Sequence, residues 1–413
     1  MDFLSLNSFK NAICEQDIIV IDVQENSFFH GFKKKGALRG GHVPNALHVR
    51  YSFLEDIQEN AKRFLVSKGI DESSKVLLYG EKEEIQALKP FFSNKQLLAF
   101  ENFIDYQNDL SNPLEKLHNY HWSVSPSFVY KIMQSQEVAM ESYQHQEVLV
   151  FEVGHSSLAQ STECIQGAHF LDTDLLESAP LYNLKEPSIL QENLSNLGIT
   201  KESFVVLYSQ SIIASMRAFW ALKCVGIKEV RFLDGGLKAW KKLGLPTSKY
   251  HVKPKKAHSL LCADLSYCLS LQETLEKQQE GYKLVSIRSW GEYQAYVNDY
   301  DYIERKGEIP GALWGFSGNH YSNTCDFYNP DNTLRNPYEI YKLWEKQGFN
   351  RHDKVVFYCS TGWRGAIAWF YALWNGWENA FLCDGGWHEY QSRGLVAREH
   401  ALDIIQPSVG NDY

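Results

Sequence analysis

Basic charge, paired cysteines, long apolar runs and cofactor motifs are all scarce in this chain, and each shortage removes a class of protein. Lysine and arginine total 41 against 50 acidic residues, a net charge of −9, which argues against a broad phosphate-binding face and hence against nucleic acid as a partner. The one short basic cluster, His251 to His258, reads as a solvated linker. No run of about 18 or more uncharged apolar residues occurs, so no membrane span or membrane partner is expected. The start, Met1 to Lys10, has no basic segment followed by a long apolar one, so no secretory signal is expected and the cytoplasm is the expected location. The eight cysteines (Cys14, Cys164, Cys224, Cys262, Cys268, Cys325, Cys359 and Cys383) include no Cys-x-x-Cys pair. A disulfide framework and a structural zinc site are therefore not expected. His118 with His121, and His258 with Cys262, have ligand-like spacing, but no second pair supports either. The Gly-Gly pairs are not followed by GxGxxG or by Lys-Ser/Thr, and no cofactor or metal is called for.

What is present is a globular composition, 44% hydrophobic and 14% aromatic over 413 residues, enough for two to four domains. The chain repeats one pattern three times. Each copy opens on a β-rich run: Ile18 to Val23, Val148 to Val153 and Lys283 to Arg288. A turn into a short strand follows, at Gly41-His42-Val43-Pro44-Asn45-Ala46, at Ile165 to His169 and at Gly307-Glu308-Ile309-Pro310-Gly311-Ala312. A second apolar strand comes next: Lys75 to Tyr79, Val205 to Tyr208 and Lys354 to Tyr358. After a helical stretch, copies two and three repeat a phrase, Asp234-Gly235-Gly236 to Trp240 and Asp384-Gly385-Gly386-Trp387, read as tight strand exits. Copy one keeps a worn version near Leu97 to Phe100. Apolar strands alternating with helices predict a mainly parallel sheet flanked by helices in each copy. The fold class is thus α/β, with domains at 1–122, 123–256 and 257–413 and polar linkers near 112–121 and 248–258.

The chemistry concentrates after Tyr358. The loop Cys359-Ser360-Thr361-Gly362-Trp363-Arg364 joins a strand end to a helix start, where open α/β sheets place their ligands. Helix-terminal N–H groups favour negative charge there, so a cysteine in that cradle is biased toward thiolate. Gly362 and Gly365 let the backbone curl so that N–H groups converge, and Arg364 offers a planar fork for an oxyanion. The other copies act as internal controls: Gly80-Glu81-Lys82 and Ser209-Gln210-Ser211 stand in the matching place. One reactive cysteine is expected, with Cys224 in the core.

These residues resemble the rhodanese family. The acid of Ile21-Asp22-Val23, the Gly41-His42-Val43-Pro44 and Gly307 to Ala312 turns, the Asp-Gly-Gly phrases and the Cys359 to Arg364 loop carry the resemblance, which spans nearly the whole chain. It is closest to multi-module thiosulfate sulfurtransferases with a single active cysteine in the last module, whose loop reads Cys-Gly-Thr-Gly-Trp-Arg; this chain has Ser360 in place of that glycine. The resemblance implies attack of Cys359 on the sulfane sulfur of a thiosulfate-like donor, a persulfide, and delivery to cyanide, a small thiol or a protein thiol, by two half-reactions. It also makes Ser360, Thr361, Gly362, Trp363 and Gly365 the substrate cradle. Ser286 and Glu308 stand where many relatives have Asp and His.

Supporting residues are open to two readings each. Arg288 holds a donor oxyanion or makes a structural ion pair. Trp363 walls the pocket or packs. Arg305 and Lys306 add positive field or are solvated, and the stretch Trp314 to Tyr328 shapes a pocket wall. Two rival functions remain. A persulfide carrier would dock one protein partner. Phosphatases and arsenate reductases of this fold have a wider Cys-to-Arg loop, whereas four residues, Ser360 to Trp363, intervene here. That spacing favours sulfur as cargo.

Overall fold

The computed structural model describes residues 1–92, 96–135, 147–156, 163–257, 265–318, 320, 323–404 and 406. Three five-stranded sheets form, and all pairings within them are parallel. In chain order the strands are β1 Asp2–Phe3, β2 Ile18–Asp22, β3 Leu47–His48, β4 Lys75–Tyr79 and β5 Gln96–Phe100 in the first sheet. The second holds β6 Ser123–Val124, β7 Val148–Gly154, β8 His169–Asp172, β9 Phe204–Tyr208 and β10 Glu229–Leu233. The third holds β11 Cys268–Leu269, β12 Lys283–Ser286, β13 Leu313–Trp314, β14 Val355–Tyr358 and β15 Ala380–Cys383. All three share one spatial order: β1-β5-β4-β2-β3, β6-β10-β9-β7-β8 and β11-β15-β14-β12-β13. The triplication read from the sequence is therefore repeated in the topology, including the first copy, whose Asp-Gly-Gly phrase has worn away.

The central strands β9 and β14 are buried along their whole length. This is why they read as unbroken apolar runs without alternation: helices cover both faces of a parallel sheet. The helices that follow them, Ile212–Cys224 and Trp363–Trp374, are buried nearly all round, as expected for helices with no solvent face. They pack against each other, with Phe219 and Phe370 at 5.0 Å and Trp122 beside Phe370 at 5.7 Å. One core runs through the second and third sheets as a result. Each fully buried Phe adds roughly 1.5–3 kcal/mol, so this seam is a substantial share of what joins the two units.

The first unit docks on the others through Phe32, which joins the core of the second sheet, and through polar joints. Lys68 pairs with Glu339 at 2.6 Å, both largely buried. Asn119 donates to the Leu373 and Trp374 carbonyls, and the His30 ring meets the Trp374 ring edge-on at 4.5 Å. Both linker stretches are tied down by backbone bonds, while Lys253, Lys255 and Lys256 of the second stay exposed as expected of a solvated cluster. Leu117 N–H bonds the His30 carbonyl, and Val252 and Ala257 N–H bond the carbonyls of Ala168 and Ser195. Buried backbone carbonyls need partners, and the connecting segments supply them to His30, Ala168 and Ser195, which are buried.

A tyrosine ends the central strand of every unit (Tyr79, Tyr208, Tyr358), with its hydroxyl on the polar turn. Tyr79 and Tyr208 accept from Val43 N–H and Ile165 N–H at 2.8 and 3.1 Å. Tyr358 donates to Glu308. In the first unit the neighbouring acid is Asp22, fully buried, accepting from Gln24 N–H and its amide. Burial pushes the Asp22 carboxyl up to about 7, against the pull of these bonds and of Tyr79. A carboxyl raised this far binds its proton in the folded chain at pH values where the unfolded chain has lost it. Its contribution to stability is therefore fully present below the ordinary Asp value of about 3.9. It is lost as pH rises through the folded value. Asp22→Asn removes this dependence, and the unpartnered Gln24 Oε1 offers the new amide an acceptor. The variant's urea midpoint, relative to the wild type, should be higher at pH 8 than at pH 5; an equal difference at both values would show that Asp22 does not titrate there.

Candidate active site

The register of the third sheet sets the site. Ser286 on β12 pairs level with Tyr358 on β14 and with Trp314 on β13, so the residues just beyond, Arg288 and Cys359, emerge at the same carboxyl edge. Cys359 is buried, with 1% of its surface exposed. The loop then turns through Gly362, at φ +82°, into the helix Trp363–Trp374. A Cβ on Gly362 would lie 2.7 Å from an Arg217 nitrogen and 2.8 Å from the Asp384 carbonyl, so glycine is required there on both conformational and steric grounds.

The Asp384-Gly385-Gly386 phrase does more than end a strand. Trp387 N–H donates to the Cys359 carbonyl at 2.8 Å and His388 N–H to the Ser360 carbonyl at 2.9 Å. A Cβ on Gly386 would stand 2.4 Å from the Cys359 carbonyl oxygen. The loop's carbonyls are thus drawn to the phrase behind it. The first N–H groups of the Trp363 helix have no acceptor within that helix, and positive helix-end potential lies at the base of Cys359. Gly365, expected to help curl the loop, lies inside the helix and permits its close packing on β15, since a Cβ there would stand 2.6 Å from the Leu382 side chain.

Arg364 is not the open fork that the sequence suggests. Its guanidinium is buried and grips Glu292 in a bidentate pair at 2.7 and 3.1 Å, and it also donates to Ser360 Oγ at 2.9 Å. Ser360 Oγ in turn donates to Glu292 at 3.2 Å. Burial disfavours the Glu292 charge, but Arg364 and Arg288 outweigh it and hold the carboxyl at about 2. Burial likewise opposes the Arg364 charge, and Glu292 keeps it above the usual arginine range. The reason lies in the capping box of the short helix Trp290–Tyr293, which fixes Glu292 over the loop through Ser289.

Arg288 is fully buried, donating to the Gly307 carbonyl at 2.7 Å and to Glu308 at 3.2 Å, with Glu292 at 3.5 Å. Its charge is matched by these carboxylates, although Nη2 has no hydrogen-bond partner. The two departures from the family pattern compensate one another: Ser286 donates to Glu308 at 2.7 Å. The carboxylate carried by the strand in the first unit, as Asp22, is carried by the turn in the third.

Trp363 is held from the second unit. Its indole N–H reaches Glu177 at 2.8 and 3.0 Å. Glu177 accepts from Arg217 at 3.0 Å, and Arg217 donates to Asp384 at 2.6 Å. Arg305 pairs with Glu399 and Lys306 is exposed, so neither is tied to the loop. Of the stretch Trp314 to Tyr328, Trp314 and Phe316 are core, with ring centroids at 4.3 Å; residues 319, 321 and 322 lie outside the described residues. No cluster of metal-ligating side chains occurs among the described residues; His258 and Cys262 lie outside them.

Residues that the sequence did not single out complete the site. Tyr300 places its ring under the Arg364 guanidinium at 5.3 Å, and burial pushes its hydroxyl up to about 12. Tyr302 is hydrogen-bonded to the Thr361 side chain and sits 5.3 Å from the Tyr300 ring. The Tyr300-Asp301-Tyr302 alternation was the available signal. Glu292 and Glu177 had none beyond a capping-box spacing for the first.

Fold and loop together define a tandem α/β protein with one cysteine seated where a strand gives way to a helix. The chain belongs to the rhodanese-like domain family, which it matches over residues 136–243 and 270–393. It is 30% identical over 384 residues to the thiosulfate sulfurtransferase YnjE of Escherichia coli, covering 92% of this chain and 88% of that protein. It is 28% identical to the sulfur carrier protein TtuD of Thermus thermophilus, over 63% of this chain and 93% of that one. Among solved structures it is similar to the anaerobic ergothioneine biosynthesis enzyme of Chlorobium limicola in complex with trimethyl histidine, at a TM-score of 0.91 and 27% identity, covering 97% of this chain and 99% of that one. A cysteine-persulfide form of the enzyme EanB with ergothioneine matches at a TM-score of 0.92 and 27% identity, over 97% of this chain and 100% of that one.

Proposed function

We propose that this chain is a sulfurtransferase that carries sulfane sulfur as a persulfide on Cys359. The observation that carries the reading is positional. Of three topologically equivalent strand-to-helix loops, opening on Gly80, Ser209 and Cys359, the third alone supplies a thiol, with its carbonyls tied back and a helix start beneath it. In the first half-reaction the Cys359 thiolate attacks the outer sulfur of a thiosulfate-like donor. The donor's sulfur–sulfur bond breaks, sulfite leaves with the electron pair, and the persulfide forms. In the second, an acceptor thiolate attacks the terminal sulfur, and Cys359 leaves as thiolate.

In this reading Ser360, Thr361, Gly362 and Trp363 shape the cradle, Gly365 lets the helix behind it pack closely, and Arg364 positions Ser360 directly and together with Glu292. Arg288 keeps Nη2, one of its two nitrogens without a hydrogen bond, for a donor oxygen. The units 1–122 and 123–256 serve as scaffold for 257–413. A cytoplasmic location fits free thiols that must stay reduced; no helix among the described residues is long and apolar enough to cross a membrane. Thiosulfate is the donor proposed, and a small thiol or a protein thiol the acceptor. Tyr300 and Tyr302 favour a second acceptor class beside these. Aromatic faces next to the sulfur suit a quaternary ammonium, such as that of trimethyl histidine.

Cys359→Ser should abolish sulfur transfer and leave the fold intact. Whole-protein mass spectrometry after thiosulfate treatment should show one added sulfur on the wild type and none on the variant. Thiocyanate release from the variant at the wild-type rate would refute the assignment, and phosphate release from p-nitrophenyl phosphate without thiocyanate would point to phosphatase chemistry. Discharge only by one protein partner would indicate a carrier. Ergothioneine formed from the persulfidated protein and trimethyl histidine would assign the second acceptor class.

A further inference from the structure

The two Asp-Gly-Gly phrases sit at matching joints between the second and third units, yet their surroundings differ in charge. Asp384 accepts from Leu184 N–H at 2.7 Å and from the Arg217 guanidinium at 2.6 Å. Asp234 accepts from Leu334 N–H at 2.7 Å, the same bond made in the opposite direction. Tyr182 and Asn332, two residues before these leucines, both adopt positive φ, +59° and +68°, so the two joints are equivalent down to the turn. At Asp384 a guanidinium balances the carboxylate. At Asp234 the second partner is the neutral Asn26 amide of the first unit, at 2.9 Å.

A cavity of about 410 Å³ adjoins Asp234, walled by all three units. Its lining carries five carboxylates and two cations. Arg50 is paired with Glu84 and Lys242 with Glu55, which leaves Glu25, Asp234 and Asp331 without a counter-cation among the described residues. Two further acceptors on the wall are buried and have no hydrogen-bond partner: Asn26 Oδ1 and Ser123 Oγ, in residues 5% and 1% exposed. Burial, reinforced by Asp331 and Glu25, pushes the Asp234 carboxyl up to about 7. Buried acceptors and unmatched carboxylates each carry a cost when unpaired, and a ligand that donates hydrogen bonds and brings positive charge answers both. Val124, Pro126, Ala239 and Leu243 give one part of the lining an apolar face that suits an aliphatic stem.

We propose that this cavity is a binding site for a small organic cation, an alkylguanidinium or alkylammonium, whose charged head lies beside the Asn26 amide among Asp234, Glu25 and Asp331 and supplies the positive charge that Arg217 supplies at Asp384. Such a ligand would touch all three units at once and lock their arrangement. It would do so without approaching Cys359, because Asp384 and Arg217, not Asp234, border the Cys359 loop.

The test is calorimetric titration and thermal melting of the full chain with butylguanidinium and butylammonium chloride, with magnesium, calcium and potassium chloride at matched ionic strength as controls. One saturable site for an organic cation and a rise in Tm that grows with its concentration are expected. Asp234→Asn keeps an acceptor for Leu334 N–H, and the Asn26 amide can turn its free oxygen to the new one; it should weaken binding at least tenfold. Glu25→Gln, at a half-buried position, should weaken it several-fold. Absence of saturable heat with either organic cation would overturn the proposal. So would affinity unchanged in both variants, or binding of the divalent ions alone.

Discussion

Glu292→Ala is expected to lower the stability of the third unit by about 3–5 kcal/mol, because it strands buried arginine charge. Glu292 is fully buried and matches Arg364 by two short bonds, with Arg288 beside it. Its removal takes from Arg364 its bidentate carboxylate and from Arg288 one of its two flanking carboxylates. Glu292→Gln is the informative control. It preserves shape and one acceptor, so its loss should be smaller, about 1–3 kcal/mol for the bonds left unmade. Both should be read as urea midpoints followed by tryptophan fluorescence, since Trp290 and Trp314 lie 4.7 Å apart beside this network. The loop should also suffer, because Ser360 is placed by Glu292 and Arg364 together and neither keeps its position alone. Persulfide formation on Cys359 should slow in Glu292→Gln even at temperatures where the variant is fully folded. A Glu292→Ala protein with the wild-type midpoint would show that the two arginines are hydrated or otherwise matched.

The sequence made the repeat, the strand ends and the nucleophile loop legible because each rests on local pattern: apolar runs, glycine at a turn, a cysteine at a switch from strand to helix. Every loop position named from the sequence, Cys359 to Arg364, lies at that switch in the structure. The partners were not legible. Arg364 looked like an open anion fork because the carboxylate that occupies it, Glu292, comes from a different loop and is aimed by a cap. Ser286 and Glu308 each looked like an isolated departure; only the 2.7 Å bond between them shows a relocation of one carboxylate. The Asp-Gly-Gly aspartates looked like strand exits, since nothing in a single repeat tells that its aspartate accepts a backbone bond from the neighbouring one. Information about joints between repeats is held in pairs far apart in sequence, and a pattern read along one chain does not contain it.

Glu177→Ala should depress sulfur transfer by about ten- to a hundredfold while leaving the persulfidated cysteine chemically competent, because misplacing a reacting group by an ångström costs on that order. Glu177 belongs to the second unit, yet it accepts both from Trp363 of the loop and from Arg217. Arg217 also bonds Asp384, whose phrase holds the loop carbonyls. One carboxylate therefore fixes the loop from the front and from behind. Trp363→Phe removes only the indole N–H and isolates the first of these links. If Glu177 acts through Trp363, the two substitutions will be non-additive in a double-mutant cycle, and the double variant will lose little more than Glu177→Ala alone. If Glu177 serves only to neutralise Arg217, Trp363→Phe will leave kcat and KM unchanged and the effects will add. Asn183 and His388 supply a built-in comparison. They too cross between the units, to Glu389 at 3.3 Å and to the Pro180 carbonyl at 3.0 Å, but neither bonds a loop side chain. Asn183→Ala should shift Tm slightly and transfer kinetics not at all, which separates holding the units together from holding the loop in place.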